Sequence, residues 1–171
     1  MISEKMQKAI NDQIQAELYS AYLYLSMQAW FESNNLSGFA NWMNIQAQEE
    51  TAHAMKFYNF LCERSGTVEL QAIQQPPNKW DSPLAVFQNT LQHEQAVTAR
   101  INDLVDAAQS QKDHATESFL KWFVDEQVEE EASADAILQQ LILAKDAPGA
   151  LFMIDRELGQ RSFTPPTTQG E

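Results

Sequence analysis

Apolar positions recur along this chain at helical intervals, in four long stretches and one short one. From Ser3 to about Glu32, Ile10, Ile14, Leu18, Ala21, Leu25 and Gln28 share one stripe at spacings of three and four, widened by Tyr22, Leu23 and Trp30. Ser3 can cap this helix through its hydroxyl, and Ser33-Asn34-Asn35 breaks it. A second helix is expected over 37–64, ended by Ser65-Gly66. Residues 66–82 carry no helical caps and include Pro76-Pro77, so they read as an extended connector. Ser82-Pro83 combines a capping hydroxyl with a proline in the first turn and opens a third helix over 83–110. Gln111-Lys112-Asp113 forms a turn whose Asp113 caps a fourth helix over 114–144. Asp146-Ala147-Pro148 opens a short fifth helix over 148–158, stopped by Gly159. The last residues, 161–171, are rich in Pro and Thr and are expected to be disordered.

The expected fold is therefore all-α: a four-helix bundle with one long crossover and a short C-terminal fifth helix. A tight helical hairpin needs only a few residues. The connector is far longer, and extended it spans about 50 Å, enough to return along a neighbouring helix and give an up-down-down-up order. Residues 1–160 then make one domain, consistent with a chain of 171 residues.

Composition narrows the partners. The net charge of −13 argues against nucleic acid and anionic membranes, which need Lys and Arg for neutralisation. No apolar run approaches the ~18 residues that would suggest a membrane span. The polar N-terminal stretch lacks a secretory signal, so the expected location is cytoplasmic. The lone Cys62 excludes an intrachain disulfide and reads as a semi-buried thiol.

The charge is not evenly spread. Glu17, Glu49, Glu50, Glu94, Glu126, Glu129 and Glu130 carry about half of the acidic excess: without them 17 acidic residues face 11 basic ones, a balance of −6. Glu50 and His53 are three apart and project from one helix face as two candidate metal ligands. Alone, Glu-x-x-His is a common decoration of solvated helices. Here it has a counterpart. An offset of 77 maps Glu17 to Glu94, Glu49 to Glu126, Glu50 to Gln127 and His53 to Glu130. Both halves read as one Glu, then a polar pair 33 and 36 residues later. All these positions fall about half-way along their helices, where unpaired carboxylates are costly. A metal cluster is the simplest compensation, and ferritin-like di-metal bundles use this arrangement with a Glu-x-x-His pair on each of two helices.

On Glu17-Leu18-Tyr19, Tyr24, Glu49-Glu50-Thr51-Ala52-His53, Gln92-His93-Glu94, Trp122 and Glu126-Gln127-Val128-Glu129-Glu130, residues 1 to about 160 resemble a bacterial non-haem ferritin. That resemblance implies a hollow 24-subunit shell, a homo-oligomer that oxidises Fe(II) with O2 or H2O2 and stores a ferric mineral. It implies two irons per subunit. Glu17, Glu50 and His53 would hold the first, and Glu50, Glu94 and Glu130 the second, with Glu50 bridging. Gln127 would hydrogen-bond to these ligands. A third iron site would use Glu49, Glu126 and Glu129 and share Glu130. Tyr24, seven residues after Glu17 and on its face, takes the place of a redox-active tyrosine. Helical rotation of about 100° per residue sets Glu126 and Glu129 on a stripe beside that of Glu130, too far round to reach both central metals.

The departures sort the relatives. Bacterioferritins resemble this chain but carry Glu-x-x-His on both hairpins, where Gln127-x-x-Glu130 stands here, and their haem-ligating Met is Ala52 in this sequence, so no haem is expected. Rubrerythrins add an iron domain built on four cysteines, and these residues hold only one cysteine. Two rival readings remain open: a di-iron enzyme that detoxifies peroxide or oxygen without storage, and a metal-free helical interaction module whose acidic stripe is solvated. His93 reads as surface or core, and His114 with Glu117 as a solvated first turn or an entry-channel lining. Trp30, Trp42 and Trp80 read as core or subunit contacts. Trp122, one turn from Glu126, is open to an electron-transfer role.

Overall fold

The computed structural model describes residues 2–145 and 147–165. Among them are five helices and no strand: α1 (Glu4–Ser33), α2 (Ser37–Glu63), α3 (Pro83–Ser110), α4 (His114–Leu143) and α5 (Pro148–Leu158). The starts follow local chemistry. Ser3, Ser82 and Asp113 accept from the backbone N–H groups of Met6, Ala85 and Thr116, which satisfies donors that a helix start leaves free. The expected role of Asp146 lies outside the described residues, as does the tail beyond 165.

The ends of α1, α2 and α3 share one device. Asn35, Ser65 and Lys112 adopt left-handed φ values of 58°, 58° and 56°. The following N–H groups of Leu36, Gly66 and Asp113 then reach back to the carbonyls of Phe31, Leu61 and Ala108. These are the long-range bonds of the Schellman closure. In α2 the left-handed residue is Ser65, not the glycine that follows it.

The connector runs along α1 rather than across the bundle. Thr67 accepts from Asn11 and donates to Gln7, Gln71 donates to Asp12, and Ser26 donates to the Pro77 carbonyl. Trp80 meets Trp30 edge-on at 6.4 Å. The chain thereby climbs the full length of α1 before α3 begins. Cross-helix contacts give the directions. Along α1 and α3, Gln13 pairs with Arg100 and Ser20 with His93. Along α2 and α4, Gln46 pairs with Glu130 and Arg64 with Asp113. Both pairs are antiparallel, which yields the up-down-down-up order.

Two apolar clusters fill the bundle. One contains Met27, Phe31, Phe39, Trp42, Phe87 and Leu141; the other contains Ile10, Ile14, Phe57, Leu61, Ile101 and Phe123. Most of the buried polar residues, among them Glu17, Ser20, Glu50, His53, Glu94, Gln127 and Glu130, lie at sequence positions between them, with Gln13 and Gln46 at the edges of the two clusters. A polar layer thus interrupts the core at mid-height.

The buried stripe of α1 differs from the expected one. It runs through Met6, Ile10, Ile14, Glu17, Ala21, Tyr24, Met27 and Phe31, while Leu18 and Gln28 are half-buried and Tyr22 and Leu25 are exposed. Leu18, Tyr22 and Leu25 form a second apolar strip on the outer flank, and helical period alone does not say which strip faces inward. Cys62 is exposed rather than semi-buried.

The fifth helix docks against the start of α2. Asp155 Oδ1 accepts from the N–H groups of Gly38 and Phe39 at 2.8 and 3.1 Å. It supplies the capping acceptor that Leu36 lacks. A Cβ at position 38 would lie 1.5 Å from the Asp155 carbonyl oxygen, so only glycine permits this approach.

Candidate metal centre

The polar layer is assembled from all four long helices. Glu17 comes from α1, Glu50 and His53 from α2, Glu94 from α3, and Gln127 and Glu130 from α4, and each is at most 6 % exposed. Two groups place ligand atoms within 4.8 Å of one another: Glu17, Glu50 and His53, and His53, Glu126 and Glu130. His53 is common to both. Its Nδ1 lies 3.8 Å from Glu50 Oε2 and its Nε2 lies 3.9 Å from Glu126 Oε1.

Each carboxylate is partly satisfied from within the protein. Gln13 Nε2 donates to Glu17 Oε1 at 2.8 Å, and Gln46 Nε2 donates to Glu130 Oε2 at 2.7 Å. The hydroxyl of Tyr24 donates to Glu94 Oε1, and Gln127 Nε2 donates to Glu94 Oε2 at 3.3 Å. Glu17 Oε2 and Glu50 Oε2 receive no N–H or hydroxyl among the described residues, although both are buried. A proton shared between the two carboxyls, or a cation between them, would satisfy both.

Burial sets the charge state. It raises Glu17 above the usual carboxylate range, and raises Glu50 well above it with help from the charges of Glu17 and Glu94. Burial lifts Glu94 to about 7 against the hydrogen bonds of Tyr24 and Gln127, and lifts Glu130 to about 8 with the charge of Glu94 adding to it. The Tyr24 phenol is raised well above its ordinary value by burial and then by Glu94 and Glu50, so it stays a donor. Burial lowers His53 to about 4. Its imidazole is therefore neutral near pH 7, the form that binds a metal.

This donor set passes a chemical test for iron. Several carboxylate oxygens with one neutral imidazole, and two of those oxygens without partners, suit a transition ion that prefers oxygen and nitrogen. A thiolate would direct the choice toward zinc or an iron–sulfur cluster, and the single cysteine lies elsewhere on the surface.

The structure gathers some expected residues and separates others. Glu94 joins neither close ligand group; its oxygens turn to Tyr24 and Gln127 instead. Glu49, Glu126 and Glu129 do not close on one another. Glu129 is exposed, and Glu126 reaches further inward than its stripe predicts, to join His53 and Glu130. Glu49 is taken by Arg161, whose Nη2 lies 2.7 Å from Glu49 Oε2. Arg161 was expected to begin a disordered tail, yet its side chain and its carbonyl are both bonded to α2. The docking of α5 holds it there.

Several neighbours carried no motif. Gln13 and Gln46 each stand four residues before a buried Glu, and a glutamine on an inward stripe was the available signal. Trp122 packs edge-on to His53 at 5.3 Å and carries Lys56 Nζ 4.1 Å from its ring centre. His93 is half-buried, with Nε2 2.8 Å from Ser20 Oγ and its ring beside Tyr19 and Tyr24. His114 and Glu117 face each other at 3.4 Å on the first turn of α4, with the histidine exposed.

Comparison with known proteins agrees with this architecture. A family profile described as a ferritin-like domain matches residues 7–144. A bacterial non-heme ferritin of Bacteroides fragilis (strain 638R) is 47 % identical over 161 residues, covering 94 % of this chain and all of the relative. The bacterial non-heme ferritin of Staphylococcus aureus (strain MRSA252) is 39 % identical over 163 residues, covering 95 % and 98 %. A crystal structure of an open pore ferritin from the archaeon Archaeoglobus fulgidus superimposes with a TM-score of 0.94 at 54 % identity, covering 95 % of this chain and all of that one.

Proposed function

The chain belongs to the ferritin family, and from that membership we propose that it oxidises Fe(II) in its polar layer and stores the ferric product inside a closed shell of its own subunits. Iron is substrate and cargo here. The observation that carries the reading is the pair of buried carboxylate oxygens, Glu17 Oε2 and Glu50 Oε2, left without donors beside the neutral His53.

Glu17, Glu50 and His53 hold the first Fe(II). Glu50, Glu94 and Glu130 hold the second, with Glu94 and Glu130 giving up their protons as it binds while their glutamine and tyrosine donors support the ionised form. Two ferrous ions side by side supply both electrons for 2 Fe(II) + O2 + 2 H+ → 2 Fe(III) + H2O2. With peroxide as oxidant the balance is 2 Fe(II) + H2O2 + 2 H+ → 2 Fe(III) + 2 H2O. Gln13, Gln46 and Gln127 orient the carboxylates. The outer group of Glu49, Glu126 and Glu129, sharing Glu130, takes a third iron.

The shell is supported by apolar surface without a partner in one subunit. Ile154 and Leu158 of α5 are buried, but Phe152 and Met153 are exposed, as are Tyr22, Leu25, Leu70 and Ile73. Closed symmetric assembly is the usual way to cover such surface.

Two measurements test the reading. Anaerobic Fe(II) titration should saturate a tight class of about two ions per subunit, followed by rapid O2 uptake on exposure to air. Light scattering should give a particle of about 24 subunit masses. No tight iron binding would refute the ferroxidase. Tight binding in a monomer or dimer would favour a detoxifying di-iron enzyme without storage.

A further inference from the structure

Arg161 follows α5 and reaches the rim of the metal centre. Its Nη2 donates to Glu49 Oε2 at 2.7 Å and its Nη1 donates to Gln46 Oε1 at 2.5 Å. Its guanidinium lies 5.0 Å from the centre of the Trp42 ring. Its carbonyl accepts from Asn41 Nδ2 at 3.0 Å, beside the Leu158 carbonyl at 3.1 Å. The backbone bonds, together with the Asp155 cap on α2, fix where the side chain starts.

A guanidinium has donors only. Gln46 must therefore turn its oxygen to Arg161 and its amide N–H to Glu130, the bond observed at 2.7 Å. Gln46 is fully buried, so no solvent competes for either end. One cation thus touches an outer carboxylate directly and an inner one through a single amide.

We propose that Arg161 is a positioning residue of the metal centre: a built-in cation that occupies the Glu49 side of the outer carboxylate group and, through Gln46, orients Glu130. The inference rests on the ferroxidase reading for the identity of the inner ligands. Its consequence is specific. On this proposal a third metal ion takes the Glu49 Oε2 that Arg161 holds, and that displacement frees Gln46 and so alters Glu130. Filling of the outer site is thereby linked to the inner one, and both are linked to the docking of α5.

The test uses intact metal-free protein and anaerobic calorimetric titration with Zn(II), which is redox-silent and oxygen-tolerant. In R161Q the outer site should tighten by about tenfold or more, because a unit charge beside Glu49 is removed, while the number of inner sites stays the same. R161K keeps the charge but not the fork. Its outer affinity should remain near wild type, while its tightest sites change because Gln46 is released. Equal outer affinity in wild type and R161Q, or R161K behaving like R161Q there, would overturn the proposal; a strut would lower thermal stability and leave the outer affinity unchanged. Should R161Q not assemble, wild-type crystals soaked in Tb(III) decide the point. Metal bound at Glu49 with Arg161 still hydrogen-bonded to it overturns the inference, and Arg161 swung away supports it. Absence of metal from Glu17, Glu50 and His53 would instead refute the ferroxidase reading.

Discussion

Glu17 and Glu50, on adjacent antiparallel helices, each bury a carboxylate oxygen that no donor in the described protein reaches. The bundle therefore carries a local destabilisation that a cation relieves. Glu50→Gln ends the competition of two buried carboxyls for one proton and supplies an amide N–H to Glu17. The metal-free variant should be more stable than wild type by about 1–3 kcal/mol, read from its unfolding transition. The same variant should lose rapid O2 uptake, because a ligand common to both irons is gone. A retained fast phase, or a less stable metal-free protein, would contradict this assignment.

The raised carboxylates also fix the sign of a pH dependence. Glu94 and Glu130, held near 7 and 8, keep protons in the folded protein that the unfolded chain releases near 4.5. The folded state then binds more protons, so stability falls as pH rises through that interval and is level above it. His53 and His93, lowered to about 4 from 6.5, act in the opposite sense below pH 6.5. The window free of that offset is pH 6.5 to 8. There the metal-free protein should lose stability with rising pH, and saturating Zn(II) should remove or reverse the slope. A rising slope for the metal-free protein would show that these carboxylates are ionised throughout.

Much of this architecture is legible in the sequence because it depends on local chemistry. Ser3, Ser82 and Asp113 mark helix starts through bonds spanning three residues. The spacing of Glu17, Glu50 and His53 works because antiparallel helices joined by a short turn place residues equidistant from it at equal height. What stayed hidden depends on docking. Leu18, Tyr22 and Leu25 have the same period as a core stripe but lie on the outer flank of α1. Arg161 sits in a Pro/Thr-rich stretch that composition assigns to disorder. Only the approach of α5 to Gly38 brings it to Glu49 and Gln46, and that contact spans more than 110 residues of sequence.

Tyr24 offers a separate test of the inner layer. Its hydroxyl donates to Glu94 Oε1 and holds the Glu94 pKa down. Tyr24→Phe should therefore make Glu94 hold its proton more tightly and weaken anaerobic Zn(II) binding by about tenfold near pH 7, the scale of one hydrogen bond to a charged group. The deficit should shrink at higher pH as Glu94 ionises. Loss of an electron from Tyr24 also requires an acceptor for the phenolic proton, and Glu94 Oε1 is in place. Rapid-freeze paramagnetic resonance after Fe(II) and O2 mixing should detect a tyrosyl radical in wild type and none in Tyr24→Phe. Equal affinity at every pH, with an unchanged radical signal, would leave Tyr24 as core packing alone.

Glu126 and Glu130 lie one turn apart on α4, and both approach His53, yet their surroundings differ. Glu130 is buried and bonded to Gln46, which Arg161 orients. The Glu126 side chain is about a quarter exposed, and its pKa is raised by burial and by Glu129 and Glu49, against the lowering effect of Lys56. Glu130→Ala removes an inner ligand and empties the space beside Glu94. It should abolish the fast phase of Fe(II) oxidation and lower the count of tight metal sites. Glu126→Ala leaves Glu17, Glu50 and His53 intact. The fast phase should persist at its normal stoichiometry, while the iron consumed per O2 and the recovery of the centre after its first turnover should change. Stopped-flow oxidation with metal-soaked crystals makes the comparison directly. If the two variants match in iron occupancy and in both kinetic phases, the outer group has no separate function, and Glu126 and Glu129 are acidic lining beside a single site.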